Sequence, residues 1–198
     1  MGIIYSNKPL PERRENDLYP TPSELCEATI QKHKHFFHND GIRVLDSGAG
    51  EGAWGKEVRK IIPTAIITGV ELRNIQKPDG YDNWYNSIDY KYFDKGKYDI
   101  ILGNPPYRYS EEFIRKSMEL LDDYGVLFYL LRLSFLESQK RYDGLFKEFR
   151  PLEVSVSVRR VSFSGDKKSD NNAYAIFTWL KNNKLENTGL SWLNWSYK

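Results

Sequence analysis

Short apolar runs alternate with amphipathic helical stretches along most of this chain, and each run ends in a turn built from Gly, Pro, Asn or an acidic residue. That alternation constrains the fold more than any other feature, because parallel strands need a crossover between them and a helix is the usual crossover. The spacing predicts strands over residues 42–46, 65–71, 86–88, 98–103 and 125–133, with helices over 21–38, 53–62, 111–123 and 139–150. The first helix opens with Thr21 as N-cap, Pro22 at the first helical position and Glu24 completing a Thr-x-x-Glu capping box. After Pro151 the pattern changes. Val154, Val156 and Val158 alternate with Ser155 and Ser157, the period of a strand, and residues 173–180 form a second apolar run. With no helix between them, these two are expected to pair as an antiparallel hairpin at one edge. The expected architecture is α/β: a doubly wound, mostly parallel, seven-stranded sheet in a single domain over residues 1–198.

Composition narrows the function classes. With 198 residues, 40% hydrophobic and 15% aromatic, the chain can fill one core, which excludes global disorder. The balance of 29 basic against 27 acidic side chains excludes a histone-like coat of charge but leaves room for local basic patches. No apolar run approaches the roughly 18 residues of a membrane span, and no charged-then-apolar leader precedes the first helix. Cys26 is alone, so no internal disulfide can form. These features predict a soluble cytoplasmic chain that does not engage membranes.

In an open α/β sheet, ligands bind outside the carboxyl ends of the strands, and the residues able to do chemistry fall at such ends. Asp46-Ser47-Gly48-Ala49-Gly50-Glu51-Gly52 is a glycine-rich turn that lets backbone approach a ligand closely. Such turns serve nicotinamide cofactors, phosphates and plain tight bends alike. This one begins with an acid and lacks the Lys-Ser/Thr of a phosphate-binding loop, which suits a ligand carrying positive charge. Glu71 lies 21 residues beyond Gly50, the position from which a carboxylate accepts both hydroxyls of a ribose. Asp89 is expected in the same crevice, where it could accept the amino group of an adenine ring.

Asn104-Pro105-Pro106-Tyr107 directly follows the strand over 98–103. The two prolines hold their own φ and push the preceding residues toward extended geometry, making a rigid ledge. From it, the Asn104 side-chain oxygen and the Pro105 carbonyl can both accept hydrogen bonds from one planar NH₂ group. Tyr107 would stack on the flat group bearing that amine.

This set of residues resembles the class I S-adenosylmethionine-dependent methyltransferases, in particular the amino-methylating branch with an Asn/Asp-Pro-Pro-Tyr/Phe signature. Asp17-Leu18-Tyr19-Pro20-Thr21-Pro22, ahead of the glycine turn, is similar to the N-terminal cofactor motif of DNA adenine-N6 methyltransferases, including small phage-type ones in the gamma order. The resemblance spans residues 17–180. It implies S-adenosylmethionine as cofactor, with Tyr19, Pro20 and Thr21 at its methionine end, and Asp46, Gly48 and Gly50 lining the methionine pocket. Glu71 would take the ribose, Asp89 the adenine, and Asn104, Pro105 and Tyr107 the target base. The implied setting is a bacterial or virus-infected cell, and the implied substrate is DNA.

A gamma-type enzyme usually carries a separate recognition domain after the catalytic core, and little chain follows Leu180. Specificity is therefore expected from loops 73–84 and 162–172, from Lys167, Lys168, Arg108, Arg159 and Arg160, or from a partner subunit. Three alternatives share the ledge: adenine methylation in RNA, methylation of a glutamine amide in a protein, and a non-catalytic subunit that presents nucleic acid to a partner. His33, His35 and His38 are read as a polar helix end rather than a metal site. Trp192, Trp195 and Tyr197 are expected to pack over the sheet edge rather than stack on bases.

Overall fold

The structure, a computed structural model, describes residues 20–37, 40–86, 97–163 and 171–197. Tyr19, His38, Asp89, Lys167 and Lys168 lie outside the described residues.

Helix α1 (Ser23–Lys32) precedes strand β1 (Arg43–Ser47), and α2 (Ala53–Ile61) leads to β2 (Ile66–Val70) and the short β3 (Asn83–Tyr85). Strand β4 (Tyr98–Gly103) is followed by α3 (Ser110–Leu120), β5 (Leu121–Arg132) and the short α4 (Gln139–Arg141), which runs on into a wider turn of helix at Tyr142–Phe146. The chain closes with β6 (Glu153–Ser157), β7 (Tyr174–Leu180) and β8 (Gly189–Leu193). These strands form one sheet of order β3-β2-β1-β4-β5-β7-β6-β8, in which β7 alone runs against its neighbours. Among the described residues, no helix is long and apolar enough to cross a membrane.

Both faces of the sheet are covered because each strand sends alternate apolar side chains to opposite sides. Val44, Ile100, Leu102 and Phe128 meet Leu25 and Ile30 of α1 and Trp54 and Val58 of α2. Leu45, Ile101, Leu127 and Tyr129 meet Phe113, Ile114 and Met118 of α3 on the other side. The doubly wound expectation holds.

Several local expectations change. The sheet has eight strands, not seven, and the β6–β7 pair is not its edge, because β8 adds in parallel beyond β6. A row of polar contacts draws it there: Ser191 Oγ lies 3.0 Å from Ser155 Oγ and donates to Glu153. The short β3 lies over Asn83–Tyr85, where the Trp84 ring covers Gly69 of β2; of the expected strand over 86–88, Asn86 lies past the end of β3 and residues 87–88 are outside the described residues. A Cβ on Gly69 would sit 2.4 Å from that ring. Helix α1 has Pro22, not Thr21, as its N-cap, and no side-chain cap forms; the amides of Leu25 and Cys26 donate to the Pro22 carbonyl. It also stops at Lys32. His33 turns inward and is buried, its Nδ1 2.8 Å from the Thr29 carbonyl and its Nε2 3.2 Å from Glu153. Of the tail aromatics, Trp195 packs into the core as expected, while Trp192 stays 64% exposed.

Candidate active site

The carboxyl ends of β1, β2 and β4 converge on one cleft of about 380 Å³. The turn after β1 puts Gly48, Gly50 and Gly52 at φ +78°, +57° and +83°, a left-handed sequence that side chains would strain. It is tied to β2, since the Gly48 and Ala49 amides donate to the Val70 carbonyl at 3.0 and 2.9 Å. Beside it, Glu71 borders the cleft and accepts from the Gly50 amide at 2.8 Å. The other Glu71 oxygen accepts from the amide and Nε of Arg73, each at 3.0 Å.

Asn104 reaches the same cleft because β4 approaches β1 without a side chain in the way. Gly103 has φ +154°, and a Cβ there would lie 2.4 Å from the Ser47 carbonyl oxygen. The Asn104 carbonyl consequently comes within 3.9 Å of where a Gly48 Cβ would stand, so ledge and glycine turn share one wall. Pro20, Thr21, Gly48, Gly50, Glu71 and Asn104 all line the cleft. Pro105 is buried beneath it.

Two expected residues are turned elsewhere. Asp46 does not line the cleft. It is wholly buried behind the turn, accepting from the Tyr81 hydroxyl at 2.5 Å and from the Gly55 amide at 3.2 Å. Burial pushes its carboxyl up to about 7, against the opposing effect of those two hydrogen bonds. Gly55 makes this possible, since a Cβ there would strike the Tyr81 ring at 2.2 Å. Asp46 therefore anchors the turn and α2 from below. Tyr107 stands beside the cleft rather than in its lining. Its ring lies 5.7 Å from the Tyr174 ring, and the Arg132 guanidinium sits 4.9 Å above it. Burial, followed by the neighbouring Tyr174, raises its phenol well above the ordinary value of 10.0.

Leu72, Trp54 and Lys56 also border the cleft and were not singled out from the sequence, and Arg73, the first residue of the expected specificity loop 73–84, borders it too. Leu72 carried a usable signal: an apolar residue one step past the strand-ending acid, left 65% exposed in the fold. Of the recognition candidates, Arg108 and Arg159 are exposed, and Arg160 donates to the Asn171 carbonyl at 2.6 Å.

No protein-family model matches the chain. It is 29% identical over 102 residues to the modification methylase CviBIII of Paramecium bursaria Chlorella virus NC1A, covering 48% of this chain and 27% of that protein. It is 27% identical over 105 residues to the release factor glutamine methyltransferase of Flavobacterium psychrophilum, covering 47% of this chain and 37% of that protein. The chain thus spans about a third of the length of the curated relatives it matches. Among solved structures, the type I restriction-modification methyltransferase subunit of Streptococcus thermophilus superposes with a TM-score of 0.66 at 15% identity, covering 87% of this chain and 47% of that one. The strand order, the glycine turn at the end of β1 and these likenesses agree: the chain has the fold of the class I S-adenosylmethionine-dependent methyltransferases.

Proposed function

We propose that this protein transfers a methyl group from S-adenosylmethionine to the exocyclic N6 amine of adenine in DNA. The observation that carries the proposal is the meeting of the Asn104 ledge and the glycine turn at one cleft, with Glu71 between them.

The cleft suits the cofactor in chemistry and size. Three left-handed glycines bring backbone close to a ligand, Glu71 offers a carboxylate to ribose hydroxyls, and exposed Leu72 offers an apolar face to a flat ring. Tyr19 and Asp89 are assigned by resemblance to the methionine and adenine ends, and Pro20 and Thr21 to the methionine end. S-adenosylmethionine supplies an electrophilic methyl on a sulfonium sulfur. Asn104 and the Pro105 carbonyl accept the two hydrogens of the target amine, drawing its nitrogen toward tetrahedral geometry and aiming its lone pair at the methyl. As the N–C bond forms and the S–C bond breaks, the nitrogen becomes cationic. It then releases a proton to solvent, so no strong base is required. Orientation and preorganised hydrogen bonds carry the rate. Tyr107 supports the base from beside the ledge, with Arg132 behind its ring.

DNA is favoured by the similarity to a viral modification methylase and by the Tyr19-Pro20-Thr21-Pro22 segment. Likeness to a subunit of a restriction-modification system is in keeping with a partner chain that supplies sequence specificity. A second reading, methylation of a protein glutamine amide, draws on the 27% identity to a release factor glutamine methyltransferase and uses the same ledge. The deciding experiment offers labelled S-adenosylmethionine with DNA, RNA and protein pools, followed by digestion and mass spectrometry. N6-methyladenine in DNA, abolished by Asn104→Ala, is the expected result. Label in RNA or in glutamine replaces the substrate, and no label in any pool overturns the activity.

A further inference from the structure

Strand β5 sends Phe128 and Leu130 into the core on the α1 side, and at the next position on that face, where the strand ends, it carries Arg132. Partly desolvating a guanidinium costs free energy that an apolar side chain would not, yet Arg132 is half-buried. Its charge is directed at Tyr107. The guanidinium carbon lies 4.9 Å from the Tyr107 ring centroid, within the range at which an aromatic face holds a cation. Across the strand pair, in register with Arg132, stands Tyr174 of β7. Cross-strand partners project to the same side, so the two meet Tyr107 together. Tyr174 is 2% exposed, its ring is 5.7 Å from that of Tyr107, and Phe163 packs edge-on against it at 5.1 Å. The same neighbours act on the Tyr107 phenol, which burial and Tyr174 raise and Arg132 and Asn104 draw back. Neither Arg132 nor Tyr174 borders the cleft, so their influence on it passes through Tyr107. Charge decides between two roles for Arg132. The target nitrogen becomes cationic during transfer, and a guanidinium acting by its charge would oppose that step. Set behind an aromatic ring, it serves geometry instead.

We propose that Arg132, braced by Tyr174, is a positioning residue that fixes the Tyr107 ring beside the ledge for the incoming base. The inference rests on the function proposed above, in which Tyr107 supports that base. It gives the end of β5 and the start of β7, neither of which lines the cofactor cleft, a part on the substrate side.

The test pairs kinetics of methyl transfer to DNA with calorimetry of S-adenosylhomocysteine binding. Arg132→Leu should lower kcat/KM for DNA about two- to thirtyfold while KM for S-adenosylmethionine and S-adenosylhomocysteine binding stay at wild-type values. Arg132→Lys keeps a cation but not the planar stack, so it should recover only part of the loss. It also serves as the second variant should Arg132→Leu not fold. In a Tyr107→Leu background there is no ring to hold, and there Arg132→Leu should cost nothing further. Tyr174→Leu, which removes the brace, should show the same dependence on the Tyr107 ring. No loss in Arg132→Leu, a higher kcat, weakened S-adenosylhomocysteine binding, or losses that add in the double variant would each overturn the positioning role. Methyl transfer by wild type would stand in all four cases. If wild type labels no DNA, the function reading fails and the positioning role falls with it.

Discussion

Asp46 beneath the glycine turn and His33 beneath the β6–β8 edge are both buried ionisable side chains, and they are treated in opposite ways. Both His33 ring nitrogens have partners, Thr29 and Glu153, and Glu153 is further bound by Lys32 and Ser191. Asp46 has partners for one oxygen only, while its Oδ1 is buried with none among the described residues. The edge is a satisfied joint between α1, β6 and β8. The cleft side keeps a costly carboxylate because it ties the turn, α2 and Tyr81 together from behind. Among the described residues, His33 is satisfied on both ring nitrogens at the edge, and Asp46 under the cleft is not satisfied on Oδ1.

Variants that break this contrast should separate stability from activity. Trp195, buried at the edge with its Nε1 2.7 Å from Ser157 Oγ, should cost about 3–5 kcal/mol on change to Ala. Denaturant unfolding would register that loss, while methyl transfer per folded molecule stays near wild type. Asn104→Ala should do the reverse, lowering the transfer rate on the order of 10²- to 10³-fold with little change in unfolding midpoint. Gly103→Ala joins the two effects. The new Cβ meets the Ser47 carbonyl oxygen at 2.4 Å in a strained backbone region, so a loss of about 2 kcal/mol should accompany weakened cofactor binding by calorimetry.

The pH dependence sharpens the comparison further. Burial raises Asp46 from 3.8 to about 7, so the folded state holds this proton longer than the unfolded chain does. Its contribution is complete below pH 3.8 and is lost as pH rises toward 7. Burial lowers His33 from 6.5, against its hydrogen bonds to Thr29 and Glu153. Its contribution is complete above 6.5 and is lost as pH falls through the lowered value. Between the lowered His33 value and 6.5 the two slopes oppose each other. Asp46→Asn should therefore steepen acid destabilisation, and His33→Gln should make it shallower, each change in slope limited to about 1.4 kcal/mol per pH unit. Unfolding curves collected from pH 4 to 7 would test both; parallel curves for the two variants would contradict the opposing assignment. The smallest effect belongs to Trp192→Ala, expected within about 0.5 kcal/mol of wild type because the ring is exposed.

Much of the architecture could be read from the chain because it depends on neighbours in sequence. The strand over 98–103 coincides with β4, and the glycine turn, α2 and β2 fall within a residue or two of expectation. Period, glycine and proline act locally, so apolar spacing and backbone restriction carry the signal. The cleft was legible for the same reason, since Gly48, Gly50, Glu71 and Asn104 all sit where strands end and ligands are reached. What only the tertiary structure decided is the direction of individual side chains. Asp46 turns away from the cleft because Tyr81, 35 residues on, offers its hydroxyl through the gap left by Gly55. Strand β3 pairs beside β2 because Trp84 covers Gly69, and β8 joins the sheet because Ser191 meets Ser155 and Glu153. Such contacts join residues far apart in the chain, and neither spacing nor local backbone preference reports on which of them will be the lower in energy.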